Sequence, residues 1–101
     1  MSQSCILKLV FDDNLYPEMT DALLGFPERE LTFLSLHVQG HSQATPEHVQ
    51  SITEQVSGFK RQRLIEVILS QDEARRVKQH IKMTLPQVNF SAHLVALLSL
   101  D

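Results

Sequence analysis

Residues 59–86 read FKRQRLIEVILSQDEARRVKQHIKMTLP, and the change of period inside this stretch sets the fold. In its first half Ile65, Val67 and Leu69 fall on one side of an extended chain, and Leu64 and Ile68 on the other. A strand is therefore predicted over Phe59–Ser70. At Ser70 the two-residue period ends. Ser70 and Glu73 stand in capping-box relation, in which each side chain satisfies the other's free backbone N–H. Ala74, Val77, Ile81 and Leu85 then recur at helical spacing until Pro86 stops the helix.

Working outward, the same grammar recurs on both sides. Cys5–Phe11 (CILKLVF) is a short strand with Cys5, Leu7, Leu9 and Phe11 on one apolar face and Ile6, Lys8 and Val10 on the other. Asp12, Asp13 and Asn14 break it. A helix follows, with Pro17 and Glu18 suited to its first turn and Leu15, Met19, Ala22, Leu23 and Phe26 as its stripe. Gly25 and Pro27 close it. Glu30–Gln39 reads as the second strand, and Phe90–Leu100 as the last, apolar on both faces. Between the second and third strands runs a long loop, Gly40–Gly58, in which Thr45, Pro46, Val49, Ile52 and Val56 would suit a short helix.

The order is βαββαβ, the ferredoxin-like sandwich of an α+β domain, with a four-stranded antiparallel sheet and both helices on one face. A single domain over residues 1–101 is expected. Two helices leave the other sheet face bare, yet Ile6, Val10 and the last strand keep it apolar. Burying such a face gains about 25 cal/mol per Å². A second subunit is therefore expected to cover it, which makes the chain a homo-oligomer.

Bulk composition narrows the function. The chain has 101 residues, of which 43% are hydrophobic and 21% charged, as in ordinary folded proteins. A net charge of −3 argues against nucleic acid as a partner, because such binders neutralise phosphates with a basic face. Cys5 is the sole cysteine, so no disulfide framework is available and a reducing compartment is expected. The N-terminal residues show no secretory pattern and no apolar stretch approaches the ~20 residues that insert into a bilayer. A cytoplasmic protein is expected.

Catalytic signatures are missing. No serine sits in a nucleophile elbow, no base is placed for Cys5, and the chain's three glycines make no phosphate-cradling loop. A non-enzymatic role is expected. Two sets of residues could bind ligands. His37, His41 and His48 could close on zinc or copper if the loop folds back, although their spacing also suits solvated loop residues. Lys60, Arg61 and Arg63 cluster at the start of the third strand, with both arginines on one face. They could fork onto an anion or pair with Glu54 or Glu66. His80 and His93 read as packing or surface residues, and the charges of the second helix as a solvated face.

The element order, the long central loop and the run Gly40-His41-Ser42 … Ser51-Ile52-Thr53-Glu54-Gln55-Val56-Ser57-Gly58 … Arg61-Gln62-Arg63 resemble the PII-like superfamily. Within it, the chain is most similar to a proteobacterial branch known only as a domain of unknown function. The resemblance spans Cys5–Leu98. It implies a homotrimer with three sheets around a central axis. It further implies a small effector, an adenine nucleotide or bicarbonate, bound in clefts between subunits, and a loop that reports the bound state to a protein partner. The residues matching that cleft are Gly40, His41, Lys60, Arg61 and Arg63. For this branch the implied partner is a membrane transporter such as a heavy-metal efflux pump. Two features depart from the pattern. PII proteins hold phosphates on a glycine- and basic-rich loop after the second helix, whereas residues 85–89 here read LPQVN. The tyrosine modified in nitrogen-signalling members has no counterpart in the loop, since the only tyrosine is Tyr16.

Overall fold

A computed structural model of the chain describes residues 4–41, 60–98 and 100. The elements follow in the order β1 (Ser4–Asp12), a 3-10 turn (Asp13–Leu15), α1 (Tyr16–Leu24), β2 (Phe33–Gly40), β3 (Lys60–Ser70), α2 (Gln71–Thr84) and β4 (Ser91–Ala96). The strands form one sheet in the order β2-β3-β1-β4, and all neighbours are antiparallel. This is the ferredoxin-like α+β layout expected from the sequence.

The core forms where the two-residue period of the central strands meets the helical stripes. Leu7, Leu9 and Phe11 of β1 stand with Ile65, Val67 and Leu69 of β3 on the helix-side face, and all are buried. Met19, Ala22 and Leu23 of α1 and Ala74, Val77 and Ile81 of α2 close over them. No polar or charged residue is buried among the described residues, so this interior is held by apolar burial alone. Cys5 is buried at the same face.

Both helices begin on local chemistry. In α1, Pro17 sits in the first turn, where a missing N–H costs nothing, and Gly25 ends the helix with its N–H bonded to the Asp21 carbonyl. At α2 the capping box is complete. The Glu73 N–H donates to Ser70 Oγ at 3.2 Å, and the Ser70 N–H donates to Glu73 Oε1 at 3.1 Å. Arg29 Nε donates to the other oxygen, Oε2, at 2.6 Å. That bond and the Ser70 N–H hold the Glu73 carboxyl below its ordinary range.

Two strand boundaries differ from the sequence reading by three residues or more. β2 begins at Phe33 rather than Glu30. Residues 27–32 are drawn toward α2 instead, where Glu28 pairs with Arg76 at 2.9 Å and Arg29 with Glu73, while Leu31 enters the core. β4 ends at Ala96 rather than Leu100, because it pairs with β1 and that ladder stops at Cys5↔Ala96. One further bond, Leu97 N–H to the Ser4 carbonyl, lies beyond it. The short helix read over 45–56, and Phe59 as a strand residue, lie outside the described residues.

The opposite sheet face carries no element among the described residues. Ile6 and Val10 of β1, Leu34, Leu36 and Val38 of β2, Leu64 and Ile68 of β3 and Val95 of β4 lie on it by register. Leu34 and Ile68 are 66% and 60% exposed. Lys8 and Glu66 interrupt this apolar surface at its centre.

Ile65→Ala, which empties a fully buried site on a central strand, is expected to cost about 2–5 kcal/mol in denaturant unfolding. Because Glu73 titrates lower in the folded than in the unfolded chain, its stabilisation is complete above the ordinary glutamate value of 4.5 and fades as pH falls through the folded value. Glu73→Gln keeps a capping-box residue but removes the charge. It should flatten the pH dependence of unfolding below pH 4.5 while leaving the helix capped.

Candidate functional site

The sequence-marked basic and histidine residues gather at one end of the sheet, where β2 runs out at Gly40 and β3 begins at Lys60. The β2–β3 ladder carries through to this end, pairing His37 with Arg63, Val38 with Gln62, Gln39 with Arg61 and Gly40 with Lys60. The two ends of the 42–59 connection are thereby held side by side.

The strand pleat divides the basic cluster. Arg63 lies opposite Phe11, so Arg63 and Arg61 point to the helix side, while Lys60 points to the bare side. Lys60 Nζ stands 3.3 Å from Asp12 Oδ1. Arg63 is 13% exposed and is committed within the chain. Its Nε and Nη2 both lie 2.9 Å from Asp13 Oδ1, and its guanidinium stacks 3.8 Å from the centre of the Tyr16 ring. Tyr16 in turn shares a hydrogen bond of 3.3 Å with Ser35 of β2. The 3-10 turn makes this arrangement possible, since it swings Asp13 off the end of β1 and delivers Tyr16 to the start of α1. Neither Glu54 nor Glu66 serves as the described partner of Arg63. Glu66 pairs with Lys8, and Glu54 lies outside the described residues.

Arg61 is exposed and has no ion-pair partner among the described residues. It lines an open pocket of about 290 Å³ together with Asp13, His37, Val38, Gln39 and Gln62. The Gln62 carboxamide lies across Gly40, in the place a β-carbon would take. The wall is mixed in charge, with a carboxylate, an imidazole, a guanidinium and two carboxamides. Such a set can hold a small polar ligand through a charged fork and neutral donors and acceptors.

The histidines do not all converge. His37 Nδ1 is 3.5 Å from Asp13 Oδ1 and joins the pocket wall, and His41 is exposed just beyond β2. His48 lies outside the described residues. Among the described residues no three His, Cys, Asp or Glu side chains gather as a metal set. His80 belongs to the helix layer. Its Nε2 hydrogen-bonds with the Ala22 carbonyl at 2.9 Å, and its ring meets Phe26 edge-on. His93 is exposed on β4. Asp13, Gln39 and Gln62 are the site residues that sequence reasoning missed. Asp13 looked like a strand breaker, and only the β1–β3 register puts it beside Arg63.

Residues 1–99 match the family described as DUF3240, a protein of unknown function. The chain belongs to the DUF3240 family. A search of curated proteins finds no match. Among solved structures, this DUF3240 chain is similar to a DUF3240 family protein from Shewanella baltica, with TM-score 0.69, 12% identity and coverage of 100% of this chain and 97% of that one. It is also similar to a candidate PII-like signalling protein from Thermus thermophilus, with TM-score 0.61, 12% identity and coverage of 95% and 88%. Arabidopsis thaliana PII bound to citrate matches with TM-score 0.65, 12% identity and coverage of 95% and 78%. The PII-like fold expected from the sequence is therefore the fold of this DUF3240 chain. No helix among the described residues is long and apolar enough to cross a membrane.

The two arginines should separate in a mutational test. Arg63→Ala removes charged hydrogen bonds and a stacked ring contact, and is expected to cost about 1.5–3 kcal/mol of unfolding free energy. Arg63→Lys should recover little, since an ammonium cannot both fork onto Asp13 and lie flat on Tyr16. Arg61→Ala should stay within about 0.5 kcal/mol of the parent. Chemical denaturation of the three variants checks all of this.

Proposed function

We propose that the chain is a PII-like regulatory protein of the cytoplasm rather than an enzyme. In this reading it is a homotrimer that senses a small anionic effector between subunits and acts on a protein partner through the 40–58 loop. The observation that carries the reading is Arg61, an exposed guanidinium without a described ion partner, on the wall of a pocket at the two roots of that loop. A ligand held there touches the strand entering the loop and the strand leaving it. It can move the loop equilibrium as far as its affinity differs between loop states, and no further.

Two further features support the reading. At about 290 Å³ the pocket is slightly below the usual range for small-molecule sites, about 300–1,000 Å³. A pocket completed by a neighbouring copy accounts for that size. The apolar sheet face without a described cover provides a surface for such copies. Of the residues matched to the effector cleft, Arg61 is the direct anion ligand in this proposal. Gly40 and His41 form the root of the loop, and Lys60 and Arg63 hold that root in shape through Asp12 and Asp13. The partner is the transporter class that the family resemblance implies, reached by the loop without membrane insertion.

A thermal-shift panel on metal-stripped protein tests this, with adenine nucleotides, bicarbonate, citrate, zinc and copper as probes. An anion at ~100 times its dissociation constant should add about 2.7 kcal/mol of stability, and Arg61→Ala should abolish that gain. An anion response unchanged by Arg61→Ala takes Arg61 out of the site. A response to metal alone that is lost in His37→Ala would move the assignment to the histidines, and a flat panel removes effector sensing altogether.

A further inference from the structure

The bare sheet face is apolar around its rim and charged at its centre. Ile6, Val10, Leu34, Leu36, Ile68 and Val95 surround the row in which Glu66 of β3, Lys8 of β1 and His93 of β4 stand side by side. Across this row Lys8 Nζ lies 3.7 Å from Glu66 Oε2. That is too long for a hydrogen bond and well beyond the 2.7–2.9 Å of a closed charge-assisted pair. Other ion pairs of the same chain do close, Arg29–Glu73 at 2.6 Å and Arg63–Asp13 at 2.9 Å. Lys8 and Glu66 therefore face each other without using up each other's bonding capacity.

The charges of this face also identify what covers it. Toward the loop end Lys60 reaches diagonally to Asp12 at 3.3 Å, past Gln62, the residue that pairs with Asp12 in the ladder. Among the described residues the face thus presents two lysines and two carboxylates, each lysine reaching a carboxylate on the neighbouring strand. A surface of zero net charge selects no strongly acidic or basic partner. A surface with both signs in one row is complementary to itself, because the cation of one copy can meet the anion of the next. The occupant that fits is a second copy of this chain.

We infer that Lys8 and Glu66 are the contact that orients one copy against the next across the open sheet face, with Lys8 of each copy bonding Glu66 of its neighbour. This rests on the proposed reading that copies of the chain cover that face. Apolar contacts supply most of the attraction and tolerate sliding. A charged pair does not, because any register that buries Lys8 without a carboxylate leaves an unpaired charge in the contact. The pair therefore selects one arrangement among the many that an apolar face would accept.

Lys8→Glu places two carboxylates on the face, and Glu66→Lys places two ammonium groups there. Sedimentation equilibrium of wild type, of each variant and of their equimolar mixture reads the contact directly, with circular dichroism reporting the fold. Wild type should assemble. Each variant alone should associate about tenfold more weakly or worse, and the mixture should associate more strongly than either variant alone, because a mixed trimer regains opposite charges at two of its three contacts and keeps like charges at one. Variants that assemble as wild type does would sink the inference while leaving the assembly intact. Folded variants whose mixture associates no more strongly than either variant alone would equally overturn it, by confining the pair to a role within one chain. If either variant fails to fold, the doubly exchanged Lys8→Glu/Glu66→Lys chain decides. Mixed with wild type, this chain should assemble with its own kind and be kept out of wild-type assemblies, where like charges would meet, whereas free mixing of the two refutes the contact. A monomeric wild type would assign the face to another segment or another protein, and would overturn both this inference and the trimer reading beneath it.

Discussion

Two helices cannot cover both sides of a four-stranded sheet, and much of this protein follows from that constraint. β1 and β3 lie at the centre of the sheet and turn Leu7, Leu9, Phe11, Ile65, Val67 and Leu69 toward α1 and α2. Those side chains are buried by apolar contact, and no polar group among the described residues is buried with them. The same two-residue period turns Ile6, Val10, Leu64 and Ile68 the other way. A chain meant to stand alone would gain solubility from polar residues there. Keeping them apolar is a thermodynamic argument for association, and the proposed Lys8–Glu66 contact would give it a direction.

At one end of the sheet, charge is used for geometry before it is available for binding. Asp13 takes both Nε and Nη2 of Arg63, and Tyr16 lies under the guanidinium. This fastens the turn after β1 and the start of α1 to the strand that leaves the 42–59 connection. Lys60 is drawn to Asp12 on the opposite face. Among the described residues of the pocket wall, Arg61 is left without an ion-pair partner. The pocket thus rests on a fixed base, and that base joins both roots of the connection to the helix layer.

Much of the fold was legible because its signals are local. Alternation over residues 64–69, the Ser70–Glu73 capping box and the stripes of both helices each lie within one element, and each appears where it was read. The misreadings came where a distant contact decides. Residues 30–32 have strand-forming side chains, but ion pairs to Glu73 and Arg76 pull the preceding segment toward α2. Leu97 and Leu98 are apolar enough to continue β4, but among the described residues the ladder with β1 ends at Cys5↔Ala96. The arginine cluster was legible as a set of charges. Its division into one committed guanidinium, one exposed guanidinium and one lysine on the far face was not.

The βαββαβ order, the apolar faces of every strand and the excess of apolar surface over what two helices can bury all follow from the order of residues along the chain. Periodicity and capping are short-range, so they can be read along the chain. Which charges meet depends instead on how the strands are placed in space. The pairs Asp13 with Arg63, Asp12 with Lys60 and Lys8 with Glu66 each join strand or turn positions about fifty residues apart, brought together by the antiparallel register of β1 on β3. Register is a property of two strands at once. No feature of either strand alone could have revealed that Arg63 is closed within the chain while Lys8 and Glu66 remain able to bond elsewhere.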